Sequence, residues 1–337
     1  MARMAFSAKF ALRTIHGSLA TALVATLLGA PALALGQTAS RFPAKTIRVV
    51  VPYPAGGPTD TTARSISPRM IEALGQQMVI DNRAGASTVI GTEIVARAPP
   101  DGHTLLLTTS TVSLNPSVFK KLPYDVERDL VPVTQVIASP FALLAHPALP
   151  VRSTADLLAL IKSRPGQLLY PSSGVGSANH LAVVLLARLA SIDPGHVPYK
   201  GTAQGIADLV SGQVQFSLNN PLTSLPLARA GKLRLLATTG VKRLPLLPNL
   251  PTVSETISGY ESGNWHGLFA PGGTPKDIVA RLQHEVSRAL ASPEVRNRLL
   301  EGGVDPVGST PEEFSIYFRS ELAKWAQTVK IAKIQIE

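Results

Sequence analysis

The sequence predicts an α/β fold with largely parallel sheets, and three observations predict it. Apolar runs of strand length alternate with helix-length periodic segments along the whole chain. Glycine-bearing turns stand where strands hand over to helices. The 337 residues include no cysteine, so one large domain or two lobes must be held by their own core and not by disulfides.

The N-terminus settles the compartment. Arg3, Lys9 and Arg13 form a basic stretch without an acidic neighbour, and an apolar run over 19–28 follows. Gly29-Ala30-Pro31 breaks any helix, and Ala32-Leu33-Ala34 has the small-x-small pattern of a cleavage site. Residues 1–34 therefore read as a signal peptide and the mature protein as periplasmic. A membrane anchor would need about 20 apolar residues, and Thr26, Gly29 and Pro31 interrupt this run. Without cysteine there is no lipid-modified anchor, so nothing holds the cleaved chain to the membrane.

Residues 47–51 (Ile-Arg-Val-Val-Val) are β-branched and read as a buried strand, and 59–74 as a helix despite Pro68. A strand at 78–80 and a helix at 89–98 come next. Strands follow at 105–107, 131–138 and 141–145. Ser153 with Asp156 three positions on is a capping pattern for a helix ending at 163. Strands at 168–170, 197–199, 214–218 and 233–238 then alternate with helices at 177–189 and 202–210. The proline-rich stretch 244–251 reads as an exposed connection. Two helices close the chain. Thr274-Pro275-Lys276-Asp277 and Thr310-Pro311-Glu312-Glu313 each place a cap, an N1 proline and an early acid. Ile278, Leu282, Val286 and Ala289 form the stripe of the first, and Phe314, Phe318, Leu322, Trp325 and Val329 that of the second.

The formal charge is +10, and three of those positives lie within 1–34, which leaves +7 for the mature chain. Lysine and arginine are scattered and aromatics make up 5%, so neither a basic stripe nor a stacking platform for nucleic acid is present. A modest positive charge suits the steering of small anions.

Two turns can carry ligand chemistry. Tyr53-Pro54-Ala55-Gly56-Gly57-Pro58-Thr59-Asp60 follows the first strand. Its glycines permit close approach, and the next helix points free N–H groups at that spot. A carboxylate would be held there without lysine or arginine. On spacing alone, an ordinary tight turn capped by Thr59 or Asp60 fits equally well. Ser172-Ser173-Gly174-Val175-Gly176-Ser177-Ala178-Asn179-His180 offers hydroxyls, N–H groups and another helix start. Asn179 stands where a dinucleotide fingerprint needs its third glycine, which removes that reading. If both turns face one cleft, they suit a solute with a carboxylate at one or both ends.

Enzyme motifs are missing: there is no Gly-x-Ser-x-Gly elbow, no Walker A, and no second histidine after His284-Glu285. Asp125, Glu127 and Asp129 lack the glycine and terminal glutamate of a calcium loop. No catalytic residue, metal ligand or cofactor is assigned. An exported hydrolase pairing His180 with Ser177 is the rival of a different class, and a ligand-free interaction module is the other.

At these same residues the sequence resembles the periplasmic substrate-binding proteins of tripartite tricarboxylate transporters, the Bug (Bordetella uptake gene) family. Tyr53-Pro-Ala-Gly-Gly57 with Asp60, Asp81-Asn82-Arg83-Ala84-Gly85-Ala86 and Pro100-Asp101-Gly102-His103 carry the likeness. Ser173-Gly-Val-Gly176 with His180, His196-Val-Pro-Tyr-Lys-Gly201 and Leu250-Pro251-Thr252-Val253 continue it in order. The resemblance implies a type II periplasmic binding protein fold, two α/β lobes joined by a two-strand hinge that close on a ligand. Residues 44–140 with 262–337 would form lobe 1, and 141–261 lobe 2. It implies a carboxylate held by Ala55, Gly56 and Gly57 on one side, with Ser173, Gly176, Ser177 and His180 on the other. Tyr53, Asp60 and Asn219 are further candidate ligand-binding residues. Permease subunits or a sensor-kinase ectodomain would be partners of a monomer. Ser87-Thr88 departs from the glycines the family pattern places there, and Leu218-Asn219-Asn220 lacks its common acid, which favours a plain carboxylate, an amide or an aromatic acid over an amino acid.

Overall fold

The computed structural model describes residues 42–332, and the predicted signal peptide over 1–34 lies outside the described residues. In β1 (Ile47–Val51), Ile47, Val49 and Val51 join one core while Val50 joins another. That is why the run is apolar throughout: the strand is covered on both faces. Helix α1 (Pro58–Leu74), β2 (Met78–Asn82), α2 (Val89–Ala96), β3 (Thr104–Thr109), α3 (Thr111–Val118) and β4 (Leu130–Pro140) follow. The chain then leaves this sheet. It forms β5 (Ala142–Ala145), α4 (Thr154–Ser163), β6 (Leu169–Ser172), α5 (Ala178–Ala190) and β7 (Gly195–Pro198). Helix α6 (Thr202–Val210), β8 (Phe216–Asn219), α7 (Pro221–Arg229) and β9 (Arg234–Thr238) complete that excursion. It returns through β10 (Gly263–Pro271) and ends in α8 (Lys276–Ala291), α9 (Pro293–Glu301), β11 (Asp305–Pro306) and α10 (Pro311–Ala332).

Three sheets result, in the orders β11-β4-β10-β3-β1-β2, β8-β5-β9 and β6-β7. The expectation of largely parallel sheets is corrected here. Only β1–β2, β1–β3 and β6–β7 pair in parallel among the described strands, and the other five pairs are antiparallel. The physical reason is the path of the chain. Strand β4 runs out of the large sheet and β10 runs back in beside it, so the two are opposed.

Where the chain crosses between sheets, Thr239 ties the two passages together. Its Oγ1 accepts from Phe141 N at 2.7 Å and donates to Ser262 O at 2.6 Å, and its N–H donates to Phe141 O. The large sheet packs α1 and α8 on one face and α2 and α10 on the other. Helix α10 buries Phe314, Phe318 and Trp325 as its stripe predicts. Ser153 caps α4 by accepting from Asp156 N, and Thr310 forms a reciprocal box with Glu313. Thr274 does not cap. Helix α8 starts one residue later, with Pro275 at the cap, and the Thr274 hydroxyl closes a turn onto Pro271 O at 2.7 Å. Asp125 and Asp129 fold their carboxylates onto N–H groups of their own turn. No helix among the described residues is long and apolar enough to cross a membrane.

Candidate functional site

Strand β1 delivers the chain into Tyr53-Pro54-Ala55-Gly56-Gly57 and then α1. Gly56 has φ of +81°, which glycine adopts without strain. Its N–H donates to Asp60 Oδ2 at 3.0 Å, and Arg64 Nε donates to the same oxygen at 2.9 Å. Burial alone would raise the Asp60 pKa, but these two donors outweigh it and hold the carboxyl below its ordinary range. Asp60 therefore ties the turn together. The Tyr53 hydroxyl lies 2.7 Å from Thr109 Oγ1, and burial pushes its pKa up to about 12.

Strand β6 leads into the second turn, which is bonded mostly to itself. Asn179 Oδ1 accepts from Ser173 N and Ser173 Oγ at 3.2 and 3.0 Å. Ser177 Oγ lies 2.6 Å from Gly174 O and 2.9 Å from Asn179 Oδ1. Gly176 N donates to His180 Nδ1 at 3.1 Å. The His180 ring stacks on His196 with centroids 4.2 Å apart, and His196 Nε2 lies 2.7 Å from Ser172 Oγ. Burial first, and the neighbouring His196 second, push the His180 pKa down to about 3. His180 is thus a neutral acceptor that shapes the turn. Among the described hydrogen bonds Ser177 Oγ bonds to Gly174 O and Asn179 Oδ1, and His180 Nδ1 accepts from Gly176 N.

Between the turns lies a cavity of about 30 Å³, room for a water molecule or two. Four helix N-termini converge on it, through Pro58 and Thr59 of α1, Thr111 of α3, Ala178 and Asn179 of α5, and Thr202 of α6. Tyr53, Thr109, Phe141, Ser173 and Asn264 complete the lining, which contains no lysine, arginine, aspartate or glutamate. Each helix start carries roughly half a positive charge. The cavity is therefore electropositive without a cation, and its hydroxyls and amides can orient an anion. Asn264 Oδ1 accepts from Ser110 Oγ and Trp265 N, which fixes the orientation of its amide at the cavity wall.

Of the residues singled out from the sequence, Tyr53 and Ser173 line this cavity. Gly57 is buried, and a Cβ there would lie 3.7 Å from Thr202 Oγ1. Ala55 and Gly56 form the exposed crest of their turn. Asp60, Gly176, Ser177 and His180 are bonded within the turns. Asn219 is buried, its Nδ2 donating to Ser217 Oγ at 2.8 Å. Thr111, Thr202, Phe141 and Asn264 were not singled out. Gly201-Thr202 after a strand repeats the glycine signal of the first turn, and the hydroxyl run 108–111 at the end of β3 was a second clue. Phe141 and Asn264 stand at the crossings, and no local pattern marks them.

Two α/β halves joined by paired crossings around a cleft define the periplasmic binding protein class of solute receptor. Residues 62–334 match the family described as tripartite tricarboxylate transporter family receptor. Protein BugT of Bordetella pertussis is 34% identical over 312 residues, covering 92% of this chain and 96% of BugT. The R. palustris protein Rpa4515, solved with adipate, superposes with a TM-score of 0.85 at 37% identity, covering 88% of this chain and all of that one. MatC of Rhodopseudomonas palustris, solved with malate, gives 0.81 at 36% identity, over 86% of this chain and all of that one. The chain belongs to the tripartite tricarboxylate transporter receptor family, and its fold is that of the periplasmic binding proteins.

Proposed function

We propose that this protein captures a small carboxylate-bearing solute between two closing lobes and presents it to a membrane permease. The convergence of four helix starts on a cavity without a charged side chain carries this reading. The lobes are residues 44–140 with 262–337, and 141–261, with the crossings at Phe141, Thr239 and Ser262 as the hinge. Thr59, Thr111, Ser173, Asn179 and Thr202 meet the solute, and Tyr53 and Asn264 orient it. Adipate and malate in the related structures support a dicarboxylate. The internal bonding of Ser177 and His180 supports binding in place of turnover. Residues 1–34 serve as the export signal, and the exported protein acts as a monomer.

A thermal-shift screen over mono-, di- and tricarboxylates, amino acids and neutral sugars tests this. A ligand at 100 times its dissociation constant adds about 2.7 kcal/mol. Stabilisation confined to carboxylates is expected, and stabilisation by neutral sugars alone would refute the reading.

A further inference from the structure

Outside the cavity, one short loop crosses the cleft in an uncommon backbone conformation. After Gly85 (φ +139°), the residues Ala86, Ser87 and Thr88 have φ of +44°, +46° and +80°. Three successive non-glycine residues in the left-handed region are strained, and such strain persists only where surrounding contacts hold it. Those contacts are present at both ends. Thr88 is buried, and its Oγ1 accepts from the buried Asn115 Nδ2 at 3.0 Å. Ser87 Oγ reaches across the cleft and donates to Val175 O at 2.7 Å.

The receiving surface is shaped for that hydroxyl. A Cβ at Gly174 would lie 2.6 Å from Ser87 Oγ, so the serine sits in a notch that only glycine leaves open. The notch is itself held, because Gly174 N donates to Ser172 Oγ and Gly174 O accepts from Ser177 N. A second notch lies nearby, where Pro54 packs against the bare Cα of Gly201. Neither Ser87 nor Val175 lines the cavity.

We infer that Ser87 is a latch at the rim of the cleft, a positioning residue that holds the closed lobes together without touching the solute. The inference rests on the solute-binding reading above and goes beyond it. A bond made only when the lobes meet slows reopening and lowers encounter only by the fraction of time the ligand-free protein is closed, so it acts mainly on residence time and not on recognition. Because the bond needs no solute, the ligand-free protein also spends part of its time closed.

Two variants separate the hydroxyl from the strained backbone. Ser87→Ala removes the bond and keeps the strain, whereas Ser87→Gly removes the bond and relieves the strain at that one residue, Ala86 and Thr88 keeping theirs. The full chain is expressed, and the purified protein is mixed with adipate in stopped-flow experiments. Small-angle scattering is recorded without ligand. In both variants the dissociation rate should rise roughly three- to tenfold, the range for one neutral hydrogen bond. Association should stay within about twofold, the ranking of carboxylates should hold, and the ligand-free radius of gyration should increase. Unchanged dissociation in both variants, or a loss confined to association, overturns the latch. If the wild type binds no carboxylate, the capture proposal fails separately. The latch is then judged by scattering alone, and identical radii for wild type and Ser87→Ala overturn it.

Discussion

Glu321 on α10 is buried, and one of its oxygens accepts from both indole N–H groups, Trp265 Nε1 and Trp325 Nε1, each at 3.2 Å. Replacing it with alanine strands two buried donors, which costs about 1–3 kcal/mol each. Chemical denaturation of Glu321→Ala should show a loss of at least about 2 kcal/mol, with Glu321→Gln retaining part of it. Trp265 is 56 residues from Glu321, so nothing in the helix stripe that revealed Phe314, Phe318 and Trp325 could reveal this pairing. His180 was visible as a residue near a turn, yet its role was not, because that role depends on where the imidazole is buried. Its folded pKa, about 3, lies below the ordinary 6.5. The unfolded chain therefore takes up a proton first as pH falls, and stability present above about 6.5 is lost progressively toward 3. His180→Asn can keep an oxygen for Gly176 N while removing the titration. Between pH 6.5 and 4 the variant should lose less stability than the wild type, by up to about 1 kcal/mol per pH unit. Parallel curves would show that His180 does not carry this acid sensitivity.

Elements with a local signature were legible. Strand β1, helix α5 and helix α10 stand where periodicity and capping put them. Helices α3 and α7 were missed because Pro116 and Pro226 fall inside them, and both are held by packing that overrides propensity. Strand β10 was missed for a related reason. It contains Gly263, Gly267 and Pro271, yet it lies between β3 and β4 and is paired on both edges. Gly267 is required there for space. A Cβ at that position would collide with the Phe314 ring, which α10 presses onto the strand. Gly267→Ala should cost about 1–3 kcal/mol through overpacking. Adding Phe314→Leu should recover part of it, and strictly additive losses in the double variant would contradict this account.

At the scale of the whole molecule, family motifs in the sequence pointed to two lobes, but the site itself came from their assembly. Two of the four converging helix starts, at Pro58 and Ala178, follow turns that were legible as glycine loops. Those at Thr111 and Thr202 stand beside them because β3 pairs in parallel with β1 and β7 with β6, and the crossings at Phe141 and Thr239 bring the two pairs to one cleft. The most direct test is isothermal titration of the purified protein with adipate and, separately, with its uncharged diamide. The two molecules match in length and differ in charge, so the comparison isolates what the helix starts provide. Binding of adipate with no measurable heat from the diamide is the result predicted. Equal affinity for both would contradict an anion site built from helix N-termini.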